Sequence, residues 1–209
     1  MPGLQEIETR TSSMLELDAI IATNISQKEI CASFTLSEFL DHSVVHSQEN
    51  IDRDPRLTKS KIAQRNLDLG HAKKLAKYIA KGLITRATTE LDQDGRKDEA
   101  EFGKELQTIL GTQPYFALQP FVTCLTDKKV SIEPIGSKKN IYRAMIQRKK
   151  NLEVIDGNHR REALGMVQNW LTEVVHDRAY PKRGILIPKT LPPYGDSIAT
   201  YRFWEYVEG

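Results

Sequence analysis

The chain has 209 residues, of which 39% are hydrophobic and 28% charged, a length that suits one substantial core and is short for two full domains. Its 30 lysines and arginines nearly balance its 28 aspartates and glutamates, leaving a formal net charge of +2. This balance excludes a protein that coats nucleic acid through overall charge. Any contact with nucleic acid therefore needs a local basic patch.

The sequence shows no sign of a membrane segment, an export signal or a disulfide framework. It has no run of about 18 or more apolar residues, and its first residues lack a basic stretch followed by an apolar one. Cys31 and Cys124 lie far apart without a CxxC spacing, which favours a reducing compartment. We therefore predict a cytoplasmic protein with no membrane partner and, because no metal-ligand pattern is evident, no metal site.

The N-terminal quarter predicts an arm and then a strand-to-helix unit. Residues 1–14 are polar and aperiodic, which predicts a loose arm ahead of a single domain over residues 15–209. The alternating segment 29–36 predicts a strand, after which Thr35 or Ser37 can cap a short helix that extends through Val44. The polar segment 48–61 predicts a loop.

An amphipathic helix is predicted over about residues 68–81, because apolar residues recur there at helical spacing. Its other face is basic and carries four lysines: Lys73, Lys74, Lys77 and Lys81. Such a stripe can follow the phosphates of DNA, and the solvated face of an ordinary surface helix has the same pattern. The segment at about 86–112 is rich in charged and amide residues, which predicts a polar surface insertion.

The C-terminal half predicts three strands, a helix and a final strand. Segment 121–125 is rich in β-formers and predicts a core strand. Segments 142–148 and 152–155 predict a hairpin, and helical spacing resumes from about His159. The aromatic residues of segment 200–207 fit a final strand loosely, since two of them are adjacent.

The turn between the strand ending at Ile155 and the following helix carries the strongest chemical signal. Gly157 allows a tight turn, and a helix start presents unpaired N–H groups and the positive end of its dipole. His159, Arg160 and Arg161 add donors in the first helical turn, an arrangement that suits phosphate. A helix that Asn158 caps, with its arginines in solvent, has the same pattern. The residues alone therefore leave both the phosphate site and the simple cap open.

A family resemblance favours the phosphate site. The pentapeptide Asp156-Gly157-Asn158-His159-Arg160 resembles the Asp-Gly-Gln-His-Arg signature of DGQHR-domain proteins, which belong to the ParB/sulfiredoxin-like superfamily. Segments 64–67, 72–79 and 115–116 occur in the order seen in DndB-like members, which are linked to DNA phosphorothioation clusters. The resemblance covers about residues 28–170, and Asn158 stands where the family has Gln.

The resemblance implies a fold, a cofactor and partners. The fold is an α+β domain of the ParB/sulfiredoxin-like kind, with a small mixed sheet flanked by helices. The cofactor is a nucleoside triphosphate, ATP or CTP, with Mg²⁺, and Arg65 is a further phosphate ligand beside the turn. The turn itself contributes Gly157, Asn158, His159, Arg160 and Arg161. DNA is the expected partner of the four lysines, and a homo-oligomer is compatible with the resemblance.

These features predict a nucleotide-responsive, DNA-associated protein of a DNA-modification or phage-defence locus. It would act as a transcriptional regulator or as an accessory NTP hydrolase, an ATPase or CTPase. One alternative is a ParB-like small-molecule kinase, for which Asp156 is the candidate catalytic base. Another is a non-catalytic interaction module with a vestigial phosphate turn. Sulfiredoxin chemistry is excluded, because it needs a cysteine where Asn158 lies.

Overall fold

The computed structural model describes residues 14–24, 27–45, 67–114, 118–125, 130–136, 141–147, 152–186, 191–195 and 197–209. In these ranges the chain forms seven strands and five helices, in the order β1 (Met14–Asn24), β2 (Gln27–Ala32), α1 (Leu36–His42), β3 (Ser43–Val44), α2 (Leu69–Gln93), α3 (Lys97–Leu110), β4 (Val122–Leu125), β5 (Ser131–Pro134), β6 (Ile141–Gln147), β7 (Leu152–Asp156), α4 (Asn158–Asp177) and α5 (Ile198–Glu208). This mixture confirms the predicted α+β class. The predicted loop at 48–61, and the predicted arm apart from Met14, lie outside the described residues.

The contacts divide the chain into two compact units. The sheet unit contains residues 1–44 and 124–153, and the helical unit contains residues 45–123 and 154–209. Both units are discontinuous in sequence. The expected single domain over residues 15–209 stays a prediction.

The sheet unit is built on four antiparallel strands in the order β2-β1-β6-β5. Along β1 the side chains of Leu15 and Leu17 are buried, while that of Glu16 between them faces solvent. These two leucines pack with Ile146 and Leu152 to form the core of this unit. Because successive side chains of a strand point to opposite faces, the alternation fixes which face of the sheet is buried.

A second, smaller sheet has the strand order β3-β7-β4, with β3 parallel to β7. The predicted hairpin of segments 142–148 and 152–155 is therefore wrong, although both strands exist. β6 pairs with β1 and β5, whereas β7 belongs to the other sheet. The polar residues between the two segments resemble a hairpin turn, but the choice of strand partner depends on distant parts of the chain.

Two local predictions concern β4 and α1. The predicted strand at 121–125 appears as β4, but the prediction of a core strand is wrong, because no residue of β4 is buried and Val122 is 55% exposed. The predicted cap is confirmed, since Thr35 caps α1. Thr35 Oγ1 accepts a hydrogen bond from the Glu38 N–H, and Glu38 Oε2 accepts one from the Thr35 N–H at 3.1 Å. This reciprocal arrangement is a capping box, which the sequence displays directly.

In the helical unit, α2 packs against α3 and α4, and α5 packs against α3 and α4. Trp204 is fully buried, and its ring lies edge-on to those of Trp170 and Phe102. Gly103 permits a close approach, because a Cβ at this position would collide with Thr88 and Phe203. Aromatic edges and small residues therefore form the core that positions α2 and α4.

The segment expected to be a polar surface insertion, about 86–112, instead forms the end of α2 and all of α3. Leu91, Ala100 and Leu106 are completely buried there. This segment is rich in charged and polar residues, but its few apolar residues recur at helical spacing. The composition therefore predicts an exposed insertion, whereas the spacing of the apolar residues predicts the helices that form.

The final strand considered for 200–207 is wrong, because these residues lie in α5. Thr200, Phe203, Trp204 and Val207 are buried, and their spacing of three and four residues marks one face of a helix. Adjacent aromatic residues fit that face and do not fit a strand. None of the helices in the described ranges is both long and apolar enough to cross a membrane.

Candidate functional site

The turn between β7 and α4 has the geometry that its glycine predicts. Gly157 is the N-cap of α4 with φ 103° and ψ 21°, and no side chain of the described residues caps this helix start. A Cβ on Gly157 would lie 2.7 Å from Phe121 Cδ1 and 3.1 Å from Arg160 Nη2. Both the left-handed backbone and the close approach of Phe121 therefore require glycine here.

Arg160 holds the segment before β4 against this turn. Its Nη1 donates hydrogen bonds to the carbonyl oxygens of Gln119, at 2.7 Å, and Pro120, at 3.0 Å. Its Nη2 donates to Asp156 Oδ2 at 2.7 Å, and the guanidinium lies 5.1 Å from the centroid of the Phe121 ring. Only 15% of the side chain is exposed. Both terminal nitrogens of Arg160 are thus engaged by the protein itself.

This engagement changes the expectation for two site residues. The sequence analysis predicts that Arg160 binds phosphate. In the structure its guanidinium bonds to Asp156 and to the carbonyl oxygens of two residues before β4, an arrangement that we call the Arg160 clamp. Phosphate binding by Arg160 stays a prediction. Asp156 is 70% exposed and accepts the clamp's hydrogen bond. Its catalytic role also stays a prediction.

Asn158 and Arg161 are the residues of the turn whose surroundings favour an anion. Asn158 is 9% exposed, and its Nδ2 has no hydrogen-bond partner in the part of the chain that the structure describes. Burial lowers the pKa of Arg161, opposed by the carboxylate of Glu162, so its cationic form is less stable than in water. A bound oxyanion would give the Asn158 amide an acceptor.

His159 connects the turn to the start of α2. The Asp68 N–H donates to His159 Nε2 at 2.9 Å, and the rings of His159 and His71 meet edge-on with centroids 5.1 Å apart. Asp68 caps α2 by accepting from the His71 N–H at 3.1 Å. The pKa of the Asp68 carboxyl is lowered, chiefly by this hydrogen bond. The positive ends of two helix dipoles therefore meet at His159.

The predicted lysine stripe begins on the helical turn next to this junction. Lys73 and Lys74 are exposed, whereas Lys77 and Lys81 are half-buried. From residue 69 to residue 89, α2 contains no acidic residue. No ion pair is recorded for the four lysines within the described ranges, while basic residues nearer the α2–α3 turn are paired: Arg86 with Glu90 and Lys104 with Asp92.

The family model for DndB, described as DNA-sulfur modification-associated, matches residues 17–176. The chain belongs to the DndB family. The matched range includes α2, β4, β7 and nearly all of α4, so it contains the turn and the lysine stripe, while α5 lies beyond it. No curated protein matches the chain, and no solved structure matches it either.

The DndB-family match includes residues that sequence reasoning did not select. Asp68, His71 and Phe121 all contact the turn residues. Asp68 directly before a helical pattern is a recognisable N-cap, but nothing local indicates its bond to His159, which lies 91 positions away. Arg65, the further phosphate ligand of the sequence analysis, lies outside the described residues.

Proposed function

We propose that this chain is a DNA-associated regulator in a DNA-sulfur modification locus, of the DGQHR type within the ParB/sulfiredoxin-like superfamily. It contacts the DNA backbone through α2 and responds to a nucleoside triphosphate at the first turn of α4. The observation that carries the proposal is the lysine face of α2, which has no acidic neighbour along its first 21 residues. Membership of a family described as DNA-sulfur modification-associated supports the choice of DNA.

The lysine face has a spacing suited to a phosphate backbone. Lys73, Lys77 and Lys81 are each one helical turn apart, so their Cα atoms span about 12 Å along the axis. One strand of B-DNA places a phosphate about every 3.4 Å of helix axis, which lets such lysines reach different phosphates. The opposite face of α2, including Ala72, Ala76 and Ile79, is completely buried, so the helix is firmly anchored. Contacts of this kind bind many DNA sequences alike.

The first turn of α4 supports a nucleotide ligand. Within the described ranges no side chain caps its N–H groups, and the buried Asn158 amide and the partly desolvated Arg161 add donors. This donor set fits a triphosphate. The phosphates would hold most of the Mg²⁺ coordination, and Asp156 is the exposed carboxylate of the turn that would contribute a further oxygen. Because Asp156 is paired with Arg160, the geometry favours ligand-dependent regulation over hydrolysis or kinase chemistry.

Salt dependence tests the DNA contact. In a titration with duplex DNA at several salt concentrations, we expect log Kd to depend steeply on log salt for the parent protein. The double variant Lys73→Ala/Lys77→Ala should flatten the slope by about 1.8, because each lost phosphate contact removes about 0.9. The loss should be similar for DNA duplexes of different sequence.

The matched control is Lys97→Ala/Lys104→Ala on α3, which removes the same charge from another part of the helical unit. We expect this control to keep nearly the parent slope. If the parent protein does not bind DNA at low salt, the proposal that this chain contacts DNA is wrong. Equal slopes for the two double variants would show that net charge, and not the face of α2, governs association.

A further inference from the structure

The start of α2 is capped by residues from two helices. Asp68 Oδ1 accepts from the His71 N–H, and the Asp68 N–H donates to His159 Nε2. In a capping box, the second of these bonds goes to a side chain three residues further along the same helix. That position in α2 is His71, yet the acceptor comes from α4. The first turn of the lysine helix is therefore completed by a residue of the proposed nucleotide turn.

The hydrogen bond fixes which nitrogen of His159 carries the hydrogen. An N–H that points at Nε2 needs a lone pair there, so this hydrogen bond places the ring hydrogen on Nδ1. Nδ1 is the ring nitrogen closer to the α4 backbone, and no bond from it to a described residue is recorded. The edge-on His71 ring holds the imidazole in this orientation.

We propose that His159 couples nucleotide binding to DNA binding, an inference that rests on the proposed function. With a triphosphate at the first turn of α4, the His159 Nδ1–H donates to a phosphate oxygen while Nε2 keeps the cap of α2. A negatively charged acceptor at Nδ1 polarises the ring and makes Nε2 a better acceptor. The nucleotide therefore stabilises the first turn of the lysine helix, and DNA binds more tightly.

Two substitutions at His159 separate its two nitrogens. In His159→Asn the amide takes the position of Nδ1 but cannot reach Asp68, whereas in His159→Gln it reaches the position of Nε2. DNA affinity is measured with and without saturating ATP or CTP, each with Mg²⁺. We expect nucleotide to tighten DNA binding by about fivefold or more in the parent. The gain should vanish in both variants, because the coupling needs a donor at the Nδ1 position and an acceptor at the Nε2 position of the same ring.

The control is His176→Asn, on the exposed last turn of α4, which should keep the parent's gain. Thermal shift reports nucleotide binding separately in each variant, because a ligand of the folded state raises its apparent stability. If one of the two His159 variants no longer binds nucleotide, the other must bind it without the gain for the coupling to stand.

The outcomes separate this inference from the proposed function. If nucleotide stabilises the parent but leaves its DNA affinity unchanged, or if His159→Asn keeps the gain, the coupling is overturned and the proposed function stands. If neither nucleotide stabilises the parent, the nucleotide part of the proposed function fails, and the coupling fails with it.

Discussion

Replacing Gly157 by valine is expected to lower the free energy of unfolding by about 2–6 kcal/mol. A β-branched residue at φ 103° carries backbone strain of about 1–3 kcal/mol. Its Cβ would also lie 2.7 Å from Phe121 Cδ1, and such overpacking costs about 1–3 kcal/mol more. Urea denaturation followed by tryptophan fluorescence measures the loss, since Trp170 and Trp204 both belong to the helical unit.

The control for this substitution is Gly95→Val in the turn between α2 and α3. Gly95 also has positive φ, 75°, but nothing lies within 4 Å of a Cβ there. We expect Gly95→Val to lose less stability, and the difference isolates the contact with Phe121. Two variants of equal stability would contradict the close approach of Phe121 to the turn.

Arg160→Ala is expected to cost about 2–4 kcal/mol, because it removes three hydrogen bonds of a charged donor. The carbonyl oxygens of Gln119 and Pro120 lose their donor, and the Phe121 ring loses the cation above it. Arg160→Lys should recover only part of this stability, since an ammonium cannot reproduce the planar fork of the guanidinium. The same denaturation experiment measures both variants.

Arg86→Ala is the control for the loss of an arginine. Arg86 also pairs with a carboxylate four residues away, Glu90, but its side chain is 72% exposed. An exposed pair contributes little, so this variant should unfold almost like the parent. A similar, small loss for Arg160→Ala would show that Arg160 is a solvated surface residue, as a phosphate ligand would be in the absence of its ligand.

The sequence predicts the elements around the site because their signals are local. Periodicity predicts a helix from about residue 68, and α2 begins at Leu69. A glycine between a strand and a helical pattern predicts the turn at Gly157. The donors at the start of α4 follow directly from this arrangement. What the sequence misses is long-range: the Arg160 clamp reaches back 41 positions to Gln119, and no local pattern marks that segment.

The pairing of strands and the identity of the last element also depend on tertiary context. β6 and β7 are correct as strands, but their partners β1 and β3 come from the first 44 residues. The aromatic residues near the C-terminus have strand propensity, yet packing against α3 and α4 favours a helix. Burial of the large aromatic rings therefore outweighs the local strand propensity of these residues.

Lysine footprinting tests the contact between α2 and DNA most directly. Acetylation of each lysine is compared by mass spectrometry with and without saturating duplex DNA, so that every lysine serves as a control for the others. We expect DNA to lower the reactivity of Lys73, Lys74, Lys77 and Lys81 several-fold and to leave that of Lys97, Lys104 and Lys182 unchanged. Unchanged reactivity of the four α2 lysines in a sample that binds DNA, or protection confined to the other three, would contradict DNA contact through this helix.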